Sequence, residues 1–140
     1  MTFLLHDAVR ALIVDEQQRQ AGQFISGVDL DAYLAKLGAH AELLANSTPD
    51  RCRGFVAYYC NDTATRCAYI TLVLVHPDDR GAGIGRNLVE CVLNLARQRG
   101  FLSCRLEVGK DNRFARELYG SLGFRVIEDR NQKELWEVVF

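Results

Sequence analysis

A run of small residues flanked by arginines, Arg80-Gly81-Ala82-Gly83-Ile84-Gly85-Arg86, is the part of this 140-residue chain whose spacing most directly suggests chemistry. It lies between an apolar stretch and an amphipathic one, where a strand hands over to a helix. The first N–H groups of a helix have no acceptor inside it, and the aligned peptide dipoles favour an anion there. Glycines remove the side chains that would hold a phosphate away, and Arg80 could add a charge-assisted contact. Two other phosphate loops do not fit. No Lys-Ser or Lys-Thr follows the glycines, as a P-loop requires, and the dinucleotide fingerprint needs a glycine where Arg86 stands. A tight strand-to-helix turn explains the same glycines without a ligand, so both explanations stand at this point.

Other polar residues carry weaker signals. Tyr119 shares a helical face with Ala115, Leu118 and Leu122, which on spacing alone makes it a core tyrosine. His40 and Glu42 fall on an early strand, and Tyr58 and Tyr59 on the next, where alternation sends the two rings to opposite faces. His76 before Pro77 reads as a strand end with no chemical role. Cys52, Cys60, Cys67, Cys91 and Cys104 form an odd set without a Cys-x-x-Cys pair, each in a hydrophobic segment; reduced, buried thiols are expected, with no metal site and no disulfide frame.

The elements that must position these groups follow from periodicity. Residues 8–20 and 29–37 read as helices, the second capped by Asp29 or Asp31; 40–46, 53–60 and 66–75 read as strands whose short connections imply antiparallel neighbours. Ile84, Leu88, Cys91, Val92 and Leu95 then mark a helix to Arg99, stopped by Gly100. A strand at Leu102–Val108, a helix from Asn112 to Leu122 stopped by Gly123, and a terminal hairpin over 124–129 and 134–140 complete the chain. A helical crossover returns the next strand parallel, so the class is α/β: one domain over 1–140 with a mixed, mostly antiparallel central sheet and helices on both faces.

Lys+Arg 17 against Asp+Glu 18 leaves a net charge of -1, with no basic excess to hold nucleic acid. No apolar run approaches the ~20 residues that span a bilayer, and the N-terminus does not read as an export signal, so the chain reads as cytoplasmic with neither nucleic acid nor membrane as partner. The terminal strand 134–140 could offer an edge to a second copy, giving a homodimer, or pair only within its own sheet.

The stretch Leu72-Val73-Leu74-Val75-His76-Pro77-Asp78-Asp79-Arg80-Gly81-Ala82-Gly83-Ile84-Gly85 resembles the acetyl-CoA signature of the GNAT superfamily of N-acetyltransferases, with its Arg/Gln-x-x-Gly-x-Gly core. A second element of that superfamily follows in order: Leu106-Glu107-Val108, Asn112, Ala115, Leu118-Tyr119 and Leu122-Gly123-Phe124. The likeness spans about residues 53–124. It implies acetyl-CoA as co-substrate, its arm entering between strands 66–75 and 102–108. Main-chain groups of Leu74 and Val75 would meet the arm, residues Arg80, Gly81, Ala82, Gly83, Ile84, Gly85 and Arg86 the diphosphate, and Asn112 and Ala115 the arm's other side.

Transfer to an amine sets two proton problems. An alkyl ammonium with pKa near ~10.4 is almost wholly protonated at neutral pH, so a base or a water path is useful; the leaving thiolate, reference pKa ~8.5, gains from a donor. The resemblance assigns that donor to Tyr119. The position before the glycine loop where many members carry a glutamate holds Tyr69-Ile70-Thr71-Leu72-Val73 instead. Glu107 resembles the carboxylate base of ribosomal-protein N-terminal acetyltransferases; equally, it could pair with an arginine such as Arg105 or Arg125 while water takes the proton. The expected activity is direct transfer in a ternary complex, to an amino sugar or other small amine. Alternatives are a peptide N-terminus or a non-catalytic acyl-CoA-binding module.

Overall fold

The structure is a computed structural model that describes residues 7–140; whether 2–6 form a strand lies outside the described residues. Four helices, α1 (Asp7–Arg19), α2 (Leu30–His40), α3 (Ile84–Gln98) and α4 (Arg113–Ser121), accompany six strands. The strands are β1 (Glu42–Ser47), β2 (Cys52–Tyr59), β3 (Cys67–Val75), β4 (Ser103–Gly109), β5 (Arg125–Arg130) and β6 (Lys133–Val139). They form one mixed, mostly antiparallel sheet in the order β1-β2-β3-β4-β6-β5. Packing groups the chain into two compact units: residues up to Ala57 with Leu72–Leu88, and Tyr58–Thr71 with Val89–Phe140.

In the first unit, Val9, Leu12 and Ile13 of α1 and Leu34 and Leu37 of α2 are buried with Phe55 and Val56 of β2. Of the two candidate caps, Asp29 serves: its carboxylate accepts the Ala32 N–H at 3.0 Å, one of the donors a helix start leaves unpaired. α2 runs on to His40, so His40 ends a helix and does not begin a strand as expected; an unbroken helical period from Leu30 absorbs it before Ala41 turns the chain extended.

In the second unit, β3 and β4 pair in parallel from Cys67↔Ser103 to Ile70↔Leu106, as a crossover through α3 requires. β4 continues through Val108 and Gly109, and its other edge pairs antiparallel with β6 along its whole length, Ser103↔Val139 to Gly109↔Lys133. β6 also pairs with β5, with a bulge between Val126 and Glu128. The expectation that 134–140 offers an edge to another copy is therefore corrected: β6 is an interior strand and β5 is the outer one. A hairpin lets either arm dock, and Leu135, Trp136 and Val138, all buried, draw the more apolar arm inward.

Two burial expectations also change. Cys52, Cys60 and Cys104 are buried, but Cys67 is half-buried and Cys91 exposed. On α3 the inward residues are Ile84 and Leu88 in the first unit and Val89, Val92, Leu93 and Ala96 in the second. Successive inward positions step by four, one, three, one and three, and Cys91, between Val89 and Val92, falls outside them.

Candidate active site

The glycine loop belongs to the first unit, and its approach is pinned twice. After β3, His76 Nδ1 accepts the Asp78 N–H at 3.1 Å and opens a short 3-10 turn, Pro77–Asp79. The Asp79 carboxylate accepts from Arg51 Nη2 at 2.8 Å and Arg53 Nε at 3.3 Å, and hydrogen bonding to Arg51 is the main reason its carboxyl lies below the usual range. Arg80 donates from Nε to the Val75 carbonyl at 3.1 Å and from Nη2 to Glu16 Oε1 of α1 at 3.0 Å.

Gly81 and Gly83 follow at φ +85° and +77°, a region side chains avoid, and a Cβ on either would meet nothing within 4 Å. The space beside them is open. The ladder of α3 begins with Asn87 N–H to Gly83 O at 3.0 Å, so the N–H groups of Ile84 and Gly85 precede it, where a helix has no acceptor for them. These features fit a diphosphate. Gly54 of β2 was not singled out by sequence: a Cβ there would lie 3.0 Å from Ile84 Cγ2 and 3.2 Å from the Leu74 carbonyl. A glycine inside a strand was the available sign that other atoms approach closely.

The second unit holds Tyr119 and Glu107, the residues expected to move protons. Along β4 the burial alternates, with Cys104, Leu106 and Val108 on one face and Arg105 and Glu107 on the other. α4 packs on the first face: Cβ atoms on Gly123 and Gly120 would stand 3.5 Å from Val138 and 3.9 Å from Trp136, which pair with Cys104 and Leu106. Tyr119 is 8% exposed, edge-on to Phe124 at 5.6 Å between centroids. Its hydroxyl makes no hydrogen bond among the described residues, yet no buried side-chain N or O lacks a partner, so the hydroxyl reaches the surface. Burial, with a smaller contribution from Cys104, pushes its pKa up to about 12, so it carries its proton throughout the neutral range.

Glu107 projects from the opposite face. Arg130 Nη1 donates to its carboxylate at 3.0 Å while Arg130 Nε donates to Glu128 at 2.8 Å. The arginine partner considered from sequence is thus present, but it is Arg130: Arg105 is taken by Glu137 at 2.7 Å. Asn112 has a structural task, since its side chain caps α4 by accepting the Ala115 N–H at 3.1 Å. Tyr58 is buried, Tyr59 is half-buried, and Glu42 opens β1. Among the described residues no cluster of His, Cys, Asp and Glu could hold a metal, and no helix is long and apolar enough to cross a membrane.

The family model of the acetyltransferase (GNAT) family matches residues 7–124, and the chain belongs to that family. Its domain is of the acetyltransferase class that this family defines. A curated relative, an uncharacterized N-acetyltransferase of Methanocaldococcus jannaschii, is 40% identical over 75 residues, 51% of this chain and only 33% of the relative's length. The structure is similar to the ribosomal-protein-S18-alanine N-acetyltransferase of Escherichia coli, with TM-score 0.72 and 17% identity over 99% of this chain and 91% of the other. It is also similar to a PaiA N-acetyltransferase of Thermoplasma acidophilum in complex with coenzyme A, with TM-score 0.65 and 15% identity over 97% and 80%.

Proposed function

We propose that the chain acts as one N-acetyltransferase domain that moves an acetyl group from acetyl-CoA to a primary amine by direct attack. The observation that carries the reading is Tyr119, a mostly buried tyrosine whose hydroxyl has no hydrogen-bond partner among the described residues and opens to the surface. A phenol that keeps its proton at neutral pH is suited to donate one as the C–S bond breaks. The amine nitrogen forms the new C–N bond and gives up a proton, to Glu107 or to water. Tyr119 supplies the proton to the departing sulfur and regains one from solvent. The diphosphate falls to the N–H groups of residues 80–86, with the Leu74 and Val75 main chain along the arm.

The acceptor is an amino sugar or other small amine, in keeping with a loose likeness over residues 33–37 and 54–62 to small family members of saccharide metabolism. A peptide N-terminus is the second reading, favoured by Leu106-Glu107-Val108 and by the fold neighbour that acts on a ribosomal-protein alanine. We place the activity in the cytoplasm. Thiol release from acetyl-CoA over a panel of amino sugars, polyamines and short peptides tests both. Turnover restricted to peptides would replace the first reading with the second, and coenzyme binding without turnover of any amine would point to a non-catalytic binding module.

A further inference from the structure

We propose that the Arg80 side chain braces the glycine loop instead of gripping the diphosphate, and that Glu16 of α1 is the positioning residue that holds it there. The inference rests on the acetyl-CoA reading above. Arginine takes an oxyanion best through two parallel N–H bonds from one edge of its guanidinium. In Arg80 the Nε and Nη2 donors are both committed, to the Val75 carbonyl that ends β3 and to Glu16.

Glu16 is not an ordinary helix-surface carboxylate. It is 5% exposed and is the buried charged residue among those described. Besides Arg80 it accepts from Gln20 at 2.7 Å and from Arg19 at 3.1 Å. Burial alone would raise its carboxyl, but the Gln20, Arg19 and Arg80 donors outweigh that and hold it below the usual range. Glu16 answers the charge of Arg80 in part, its one negative charge being shared with Arg19, while Asp79, next to Arg80 in the chain, is fastened to Arg51 and Arg53. Two consecutive residues are tied to different elements immediately before the two left-handed glycines. This arrangement orders the loop before any ligand arrives and leaves anion capture to main-chain N–H groups, the saving expected of preorganisation. The signal was present in the helical period, since Glu16 stands four residues after Leu12 on the face that carries Ile13.

Calorimetric titration of coenzyme A into the full chain, from low to high salt, tests this with Glu16→Gln, Arg80→Gln, Arg80→Lys and the Glu16→Gln/Arg80→Gln double variant. If Arg80 is a brace, each single glutamine variant weakens coenzyme A about tenfold, and the double variant is no weaker than either single one. The salt dependence stays as in the wild type, and Arg80→Lys, lacking the fork, does not restore affinity. The proposal is overturned if Arg80→Gln flattens the salt dependence while Glu16→Gln tightens binding, or if Arg80→Lys binds normally. It is equally overturned if thermal melting of the variants drops with affinity unchanged. Should Glu16→Gln fail to fold, the Arg80→Gln salt dependence and the Arg80→Lys affinity still decide the matter. A wild-type chain that binds no coenzyme A would remove the acetyl-CoA reading itself, whereas a binding wild type with unaffected variants removes only the positioning role.

Discussion

Tyr119 concentrates the residue-scale argument, because the same burial that makes it look like a core residue also fixes its protonation. Tyr119→Phe deletes a hydroxyl with no hydrogen-bond partner among the described residues, so stability at neutral pH should change by less than about 0.5 kcal/mol. Removal of the proton donor should lower kcat by about a hundredfold or more. Steady-state rates beside thermal melting check both at once. The raised pKa also has a sign: the unfolded tyrosine ionises near pH ~10 and the folded one near about 12. Stability that is whole below pH ~10 is lost as pH rises through the folded value, by about 3 kcal/mol from this group. Denaturant melts across that range should fall more steeply for wild type than for Tyr119→Phe, and parallel curves would refute the assignment. Glu107→Gln should lower the rate and erase the acid limb of the pH–rate profile if Glu107 is the base. A retained profile hands the amine's proton to water and leaves Glu107 as the structural partner of Arg130.

At the scale of elements, two small residues govern how helices meet strands. Gly54→Ala puts a methyl 3.0 Å from Ile84 Cγ2 and 3.2 Å from a backbone oxygen, which can give little. About 1–3 kcal/mol of stability should be lost, and because the displaced helix start is that of α3, coenzyme A affinity should fall with it; equilibrium unfolding and calorimetry read the two effects. Asn112 divides its two proposed roles more cleanly. Asn112→Ala removes the cap of α4 at about 1 kcal/mol, whereas Asn112→Asp keeps a capping oxygen and removes the side-chain N–H2. If the residue only caps, the aspartate variant keeps both stability and the acetyl-CoA KM; a raised KM with stability intact assigns it to the coenzyme arm as well.

For the whole molecule, a ligand that binds only the folded chain must stabilise it. Coenzyme A at about a hundredfold over its Kd should add about 2.7 kcal/mol, seen as a rise in melting temperature that free ATP or NAD does not reproduce. Equal stabilisation by those nucleotides would favour a general phosphate loop over a thiol carrier.

Helix and strand periods were legible throughout, since each depends on residues a few positions apart: α1, α3 and the β5–β6 hairpin all lie close to where their apolar spacing puts them. The glycine loop was legible for the same reason, because left-handed turns and a helix start are local. His40 departs from expectation where two periods abut, and Cys91 because the buried face of α3 is centred on Val89, Val92, Leu93 and Ala96, which leaves position 91 outside it. What stayed hidden was set by partners distant in the chain. Arg130 reaches Glu107 only because the hairpin docks by β6, which local propensity does not decide between two arms. Arg80 meets Glu16 only because α1 folds back onto a residue 64 positions further along the chain. By itself the order of residues determined the elements, the family and the glycine turn; tertiary packing alone decided which charges face one another, since ion-pair partners are chosen by proximity in space and the chain carries many equivalent arginines.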